Sequence, residues 1–221
     1  MAQQFPLLSA IMLAGRNHPK DVVQAIECFK NQTYPNKELI IVNNAASQYE
    51  AAKLNIVAED NIYLIDTPSN LNAGMARNYG VRASNGQILA QFDVDYWHAP
   101  DRLSTQIATM AENESHVCML AKTLKYSFVT GNCGINTNPK DVILGTMVFV
   151  RPKQVDYPDA DKNEEFVLLD KLIRANYSPI TISNAELCCK LTLSDNRNLK
   201  PSYNNLDDKH MKIIDTIIAN Y

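Results

Sequence analysis

Between Leu8 and Met110, short apolar runs alternate with segments of helical period, and this rhythm narrows the possible folds more than any other feature of the chain. Leu8 to Leu13 is an apolar run of strand length; Gly15-Arg16-Asn17 interrupts it, and Pro19 opens a segment in which Val22, Ile26 and Phe29 recur at helical spacing. Gln32-Thr33-Tyr34-Pro35 ends that helix, and Glu38 to Val42 forms a second strand rich in branched residues, closed by Asn43-Asn44. The spacing then predicts a helix over Tyr49 to Ala58, a strand over Ile62 to Ile65 and a helix over Ala73 to Ser84 that stops at Asn85-Gly86. A fourth strand, Gln87 to Phe92, runs straight into Asp93-Val94-Asp95, and Pro100 starts a helix with Leu103, Ile107 and Met110 on one stripe. Strand and helix repeated in this way predict an α/β fold, Rossmann-like, with a mostly parallel sheet covered on both faces.

The second half is less regular. Val117 to Ala121, Leu144 to Val150 and Leu187 to Leu193 have strand character, Glu164 to Asn176 is an amphipathic helix expected to turn Phe166, Leu169 and Ile173 inward, and Ile213 to Ala219 belongs to a terminal helix. No internal repeat or low-complexity tract divides the 221 residues, so one domain is expected.

Composition excludes several classes of partner. With 21 basic and 24 acidic residues the net charge is −3, which provides no footprint for nucleic acid or an anionic membrane. The longest apolar stretch, Leu7 to Ala14, falls well short of the ~20 residues of a spanning helix, and the first four residues carry no basic charge. A cytoplasmic chain without a transmembrane segment is expected. Five cysteines, none spaced C-x-x-C, predict neither a disulfide framework nor a zinc site; Cys188 and Cys189 should point to opposite faces of their strand as small core hydrophobes.

In an open α/β sheet, ligands collect beyond the carboxyl ends of the strands. Three such ends carry polar loops here, Gly15 to His18, Asn43 to Ser47 and Asp93 to Asp95, and they should meet at one crevice. Asp93 and Asp95 are two apart on an extended segment, so both carboxylates can face one side. Two hard oxygen donors suit Mg²⁺ or Mn²⁺ on a diphosphate.

Six stretches in fixed order carry a resemblance: Ser9-Ala10-Ile11-Met12-Leu13 with Asn17, Gln32 through Val42, Ala76-Arg77-Asn78-Tyr79-Gly80, Gly86-Gln87-Ile88-Leu89, Phe92-Asp93-Val94-Asp95, and Pro100-Asp101-Arg102-Leu103. In these the chain resembles the family 2 glycosyltransferases of GT-A fold, closely from Leu8 to about Leu103 and loosely to about Asn198. The resemblance implies a nucleotide-sugar-binding half over about residues 6–103, an acceptor half over about 104–200 and a C-terminal helix over about 206–221. It also implies an inverting transfer from a nucleotide sugar to a glycan, a lipid-linked saccharide or a protein, at the inner face of a membrane where the acceptor is lipid-linked.

By position, Asp95 stands as the metal-binding carboxylate, Asp93 as its partner near ribose and metal, and Arg77 as the side chain that reaches the base. Ala14, Arg16, Asn17, Asn43, Asn44 and Val94 complete the implied donor site, with Asn44 where the family carries the second of two aspartates that grip the base. The family's general base lies in an acidic pair before an apolar helix, which makes Glu165 the candidate here. No late histidine matches the one that some members use toward the metal, and Asp195 is the nearest substitute.

The departures concern the base pocket. Asn43-Asn44-Ala45-Ala46 replaces the usual Asp-Asp-Gly-Ser, and Ala14-Gly15-Arg16 the usual Pro-Thr-Tyr. An amide accepts from uracil's one N–H and donates to a carbonyl, whereas guanine's adjacent donors want a carboxylate, so a uracil-type or thymine-type base is expected, a uridine donor foremost, with Arg16 either laid over the base or a solvated loop residue. The alternative is a nucleotide-binding protein of the same fold whose catalysis has decayed. A nucleotidyltransferase or a dinucleotide-dependent oxidoreductase would need a glycine-rich loop after the first strand, where only Gly15 stands.

Overall fold

A computed structural model describes residues 5–15, 17–44, 61–68, 71–137, 142–154, 156–193, 201–203 and 206–221. The helix expected over Tyr49 to Ala58, Arg16 and Asp195 lie outside them.

The first half follows the predicted rhythm: β1 (Leu8–Leu13), α1 (Pro19–Lys30), β2 (Lys37–Asn43), β3 (Ile62–Asp66), α2 (Ala73–Ala83), β4 (Ile88–Gln91), β5 (Tyr96–His98) and α3 (Arg102–Glu112). Then come β6 (Val117–Leu120), β7 (Lys122–Ser127), β8 (Asn132–Thr137), β9 (Ile143–Val150), α4 (Glu164–Arg174), β10 (Pro179–Ile182), β11 (Cys188–Thr192), β12 (Ser202–Tyr203) and α5 (Asp208–Asn220). A seven-stranded sheet has the order β10-β6-β9-β4-β1-β2-β3, with β9 antiparallel to both neighbours and the remaining pairs parallel. A five-stranded sheet, β12-β8-β7-β11-β5, stands beside it. Among the described residues no helix is long and apolar enough to cross a membrane.

Local chemistry accounts for these elements. Pro19 occupies the first turn of α1, where its missing N–H costs nothing, and Asn72 caps α2 by accepting from the Met75 N–H at 3.0 Å. Val22, Ile26 and Phe29 are buried against the large sheet, each contributing roughly 1.5–3 kcal/mol of transfer free energy. α2 lies on β1 and β2 through Gly80, where an added Cβ would come within 2.7 Å of Ile11 and 2.9 Å of Val42.

Several motif residues prove to be structural ties. Gln32 donates to the Ala99 carbonyl at 2.7 Å and accepts from the Leu103 N–H at 3.1 Å, joining the end of α1 to the start of α3. Buried Glu38 accepts from Ser9 Oγ and from the Asn85 N–H, both at 2.6 Å, and Gly86 N–H donates to Ser9 Oγ at 2.7 Å, so three distant stretches form one turn before β4.

Two expectations need correction. Phe166 and Ile173 face solvent, at 44% and 47% exposed, while Leu168, Leu169 and Leu172 are buried. The leucine stripe is about a quarter of a turn away from the expected one, and it wins because it buries three γ-branched side chains at once. The chain also holds more strand than its pattern suggested: β5 in the first half and β7, β8, β10 and β12 in the irregular second half build most of the second sheet and one edge of the first. Cys188 and Cys189 are buried in two different clusters on opposite faces of β11, as the alternation required.

Candidate active site

β4 delivers the acidic loop. Phe92 is fully buried and meets Phe29 edge to face at 5.9 Å, Val94 is buried, and the residues between and beyond them, Asp93 and Asp95, turn toward a common cleft. The chain then re-enters a strand: β5 pairs antiparallel with β11, Lys190 opposite Tyr96, and the Leu191 N–H donates to the Asp95 carbonyl at 2.8 Å. Beneath the loop, Arg102 is completely buried. Its guanidinium donates to the Gln91 carbonyl at 3.0 Å on one side of the loop and to His98 Nδ1 at 2.8 Å on the other, and also to Thr146 O and Gln106 Oε1, both at 3.0 Å. Burial, followed by the Arg102 charge, drives His98 well below its ordinary pKa, so the ring is neutral.

α2 supplies one cation of the cleft. Arg77 Nη1 and Nη2 donate to the two oxygens of Asp93 at 2.9 and 3.1 Å, and Nη2 also reaches Glu165 at 3.2 Å. Its Nε is 3.7 Å from Glu164. Burial opposes this charge, yet the carboxylates around it, Asp93 foremost, raise its pKa, so Arg77 stays a cation. α2 reaches α4 because Asn78 exchanges two hydrogen bonds with the Tyr157 backbone, both at 2.9 Å, and Gly74 N–H donates to the Ala160 carbonyl at 3.0 Å.

The result is a cleft of about 340 Å³ lined by Leu13, Asn17, Arg77, Asp93, Val94, Asp95, Glu164, Glu165 and Lys190. Burial pushes the Glu165 carboxyl up to about 7 against the pull of Arg77, with Asp93 and Glu164 adding to the rise. Asp95 is also raised, by burial first, while Lys190 restrains the shift. Among the described residues no group of three or more His, Cys, Asp or Glu side chains is arranged to hold a metal ion. A larger cavity of about 860 Å³ opens at the other end of β4, between Tyr34, Ile88, Ile107 and Met110; it is mostly apolar and lacks convergent carboxylates.

Of the expected site residues, Asn17, Arg77, Asp93, Val94, Asp95 and Glu165 share the cleft. Asn17 donates to the carbonyl of buried Ala14 at 2.8 Å, which places Ala14 behind the lining. Asn44 donates to the Leu71 carbonyl at 2.7 Å and accepts from Thr67 Oγ1 at 2.8 Å, so both ends of its amide are engaged. Asn43 donates to Asp66 at 2.6 Å, while its buried Oδ1 has no hydrogen-bond partner among the described residues. Glu164, the other member of the acidic pair before the apolar helix, lines the cleft as well, and so does Lys190, which was not singled out. Lys190 sits on a strand of the second sheet with no local signal. Trp97 faces a different cleft beside Cys28 and Tyr221, and His210 pairs with Asp207 at 2.8 Å and Glu186 at 3.8 Å.

Residues 10–132 match the model of glycosyl transferase family 2, and the chain belongs to that family. The putative glycosyltransferase EpsH of Bacillus subtilis is 29% identical over 117 residues, 51% of this chain and 33% of that protein. The Escherichia coli protein WfgD, a UDP-Glc:alpha-D-GlcNAc-diphosphoundecaprenol beta-1,3-glucosyltransferase, is 26% identical over 156 residues, 71% of this chain and 56% of its own length. The chain spans between 26% and 56% of the length of the curated relatives it matches. Among solved structures, the mannosyltransferase PcManGT of Pyrobaculum calidifontis, in complex with GDP-Man and Mn²⁺, superposes with a TM-score of 0.68 at 15% identity, covering 88% of this chain and 59% of that one. S. aureus TarS 1-349 in complex with UDP-GlcNAc gives 0.61 at 14% identity, covering 96% and 66%. The fold is GT-A.

Proposed function

We propose that this chain is an inverting glycosyltransferase that takes its sugar from a UDP-sugar and passes it to a hydroxyl of a glycan or lipid-linked saccharide. The observation that carries the proposal is the convergence of Asp93, Asp95 and Glu165 on one cleft at the carboxyl end of β4. Glu165 serves as the general base: a carboxyl held up to about 7 is still ionised in part at neutral pH and is basic enough to take the acceptor hydroxyl's proton onto its oxygen as that hydroxyl attacks the sugar. Arg77 orients Glu165 and Asp93 together. The names of WfgD and of the TarS complex support a uridine donor, and WfgD's also supports a lipid-linked acceptor.

Asp95 and Asp93 fit a divalent metal. Their oxygens are hard donors, and Mg²⁺ or Mn²⁺ ordinarily binds through one or two protein carboxylates together with substrate phosphates, so two suffice. When bound, such an ion would offset negative charge growing on the departing diphosphate. For the base, Asn43 takes the role expected of Asn44, because its unpaired buried acceptor suits the single N–H of uracil while the amide of Asn44 is already engaged.

A thermal-shift series with UDP, GDP and their sugars, each with and without Mn²⁺, tests the reading. The expected result is stabilisation by UDP with Mn²⁺ that Asp95→Ala abolishes. Stronger stabilisation by GDP overturns the base assignment, and no stabilisation by any nucleotide overturns the function.

A further inference from the structure

Lys190 is the second cation of the cleft, and its setting differs from that of Arg77. Arg77 is buried, with 6% of its side chain exposed, and is spent on Asp93, Glu164 and Glu165. Lys190 Nζ is paired with Asp95 Oδ2 and lies 4.2 Å from the centroid of the Tyr96 ring, and the side chains of Lys190 and Asp95 are each 38% exposed. Its placement is rigid at the backbone, since β11 holds Lys190 opposite Tyr96 and the Leu191 N–H is bonded to the Asp95 carbonyl. Only the four-carbon stem is free to swing. The ammonium therefore occupies the carboxylate that a metal would use, within a cleft whose described lining holds four carboxylates, Asp93, Asp95, Glu164 and Glu165, against two cations.

We infer that Lys190 is a resident counter-cation of Asp95 that competes with the divalent metal for that carboxylate and, once displaced, turns to the diphosphate of the donor. Two cations on one carboxylate repel each other, so metal entry favours departure of the ammonium. A diphosphate entering beside four carboxylates needs more positive charge than one divalent ion supplies. Of the two lining cations Lys190 has the more exposed side chain, 38% against 6% for Arg77, and its three rotatable donors suit phosphate oxygens. This inference rests on the donor site proposed above.

The test is calorimetric titration of the full chain and of Lys190→Met and Lys190→Arg, first with Mn²⁺ alone and then with UDP in saturating Mn²⁺. Removing a half-exposed competitor should tighten Mn²⁺ binding of Lys190→Met about fivefold, while its UDP affinity falls about tenfold, the effect of losing one charged hydrogen bond. Lys190→Arg should stay close to the parent in both. If the parent binds Mn²⁺ and UDP but Lys190→Met binds Mn²⁺ equally or more weakly, competition is refuted and the donor reading stands; unchanged UDP affinity refutes the second role. If the parent binds neither ligand, the donor reading falls together with the inference.

Discussion

Arg77 holds both oxygens of Asp93 in a two-point grip, at 2.9 and 3.1 Å, while the same Nη2 reaches Glu165 at 3.2 Å. One guanidinium thus couples the loop after β4 to the start of α4, and the acidic loop and the proposed base keep a common spacing because they share it. Arg77→Met leaves these carboxylates uncompensated in a buried setting. We expect a loss of about 3–5 kcal/mol in stability by urea unfolding. Arg77→Lys retains the charge but not the fork, and should lose kcat/KM by about a hundredfold, the cost of a misplaced catalytic group, while recovering part of the stability.

Because Glu165 has its pKa raised to about 7 in the fold from an ordinary 4.5, the folded chain binds more protons than the unfolded one between those values. The contribution of this group to stability is therefore highest below pH 4.5, falls as pH rises and levels off above about 7. Glu165→Gln should remove that downward slope in unfolding experiments run from pH 5 to pH 8. It should also abolish turnover, whereas the parent's kcat/KM should climb with pH through a limb near 7. An activity profile flat from pH 5.5 to 8 would argue against Glu165 as the base.

Gly74 brings α2 against the segment that leads into α4. A Cβ there would lie 1.9 Å from the Pro158 carbonyl oxygen, a backbone atom with no rotamer to yield. Gly74→Ala should cost about 1–3 kcal/mol by forcing the helix away. Since Arg77 is one turn further along α2, we expect kcat to fall more than KM rises. Gly134→Ala, facing only the flexible Lys125 side chain on the second sheet, serves as the control.

Arg102 is a buried cation whose hydrogen bonds all go to neutral groups: Gln91 O, Thr146 O, Gln106 Oε1 and His98 Nδ1. Arg102→Lys cannot reach both sides of the acidic loop at once, and should cost about 2–4 kcal/mol in unfolding through the acceptors it leaves unpaired. The accompanying signature is a weaker response to Mn²⁺ in thermal shift, because the loop carrying Asp93 and Asp95 loses its bracket.

The strand-helix rhythm of the first half, the covering of a mostly parallel sheet and the place where Asp93 and Asp95 emerge were all legible in the sequence. Apolar periodicity is a local property, and a strand's carboxyl end follows from where its apolar run stops. The stripe of α4 was misplaced, because Phe166 and Ile173 compete with Leu168 and Leu172 on hydrophobicity alone and only the neighbouring sheet decides which set is buried. β5, β7 and β8 are short strands held by pairing across the second sheet, a non-local property with little trace in their own residues.

By itself, then, the chain's order of residues determined the fold class, the acidic loop and the candidate base. Tertiary structure decided what those groups are paired with. It gave Arg77 to Asp93 and Glu165, engaged the amide of Asn44 while leaving the Asn43 oxygen without a partner, and set Lys190 on Asp95 from a strand 95 residues away. The reason is that charge pairing depends on distances in space between groups far apart in the chain, and those distances exist only once two sheets and two helices have packed around the cleft.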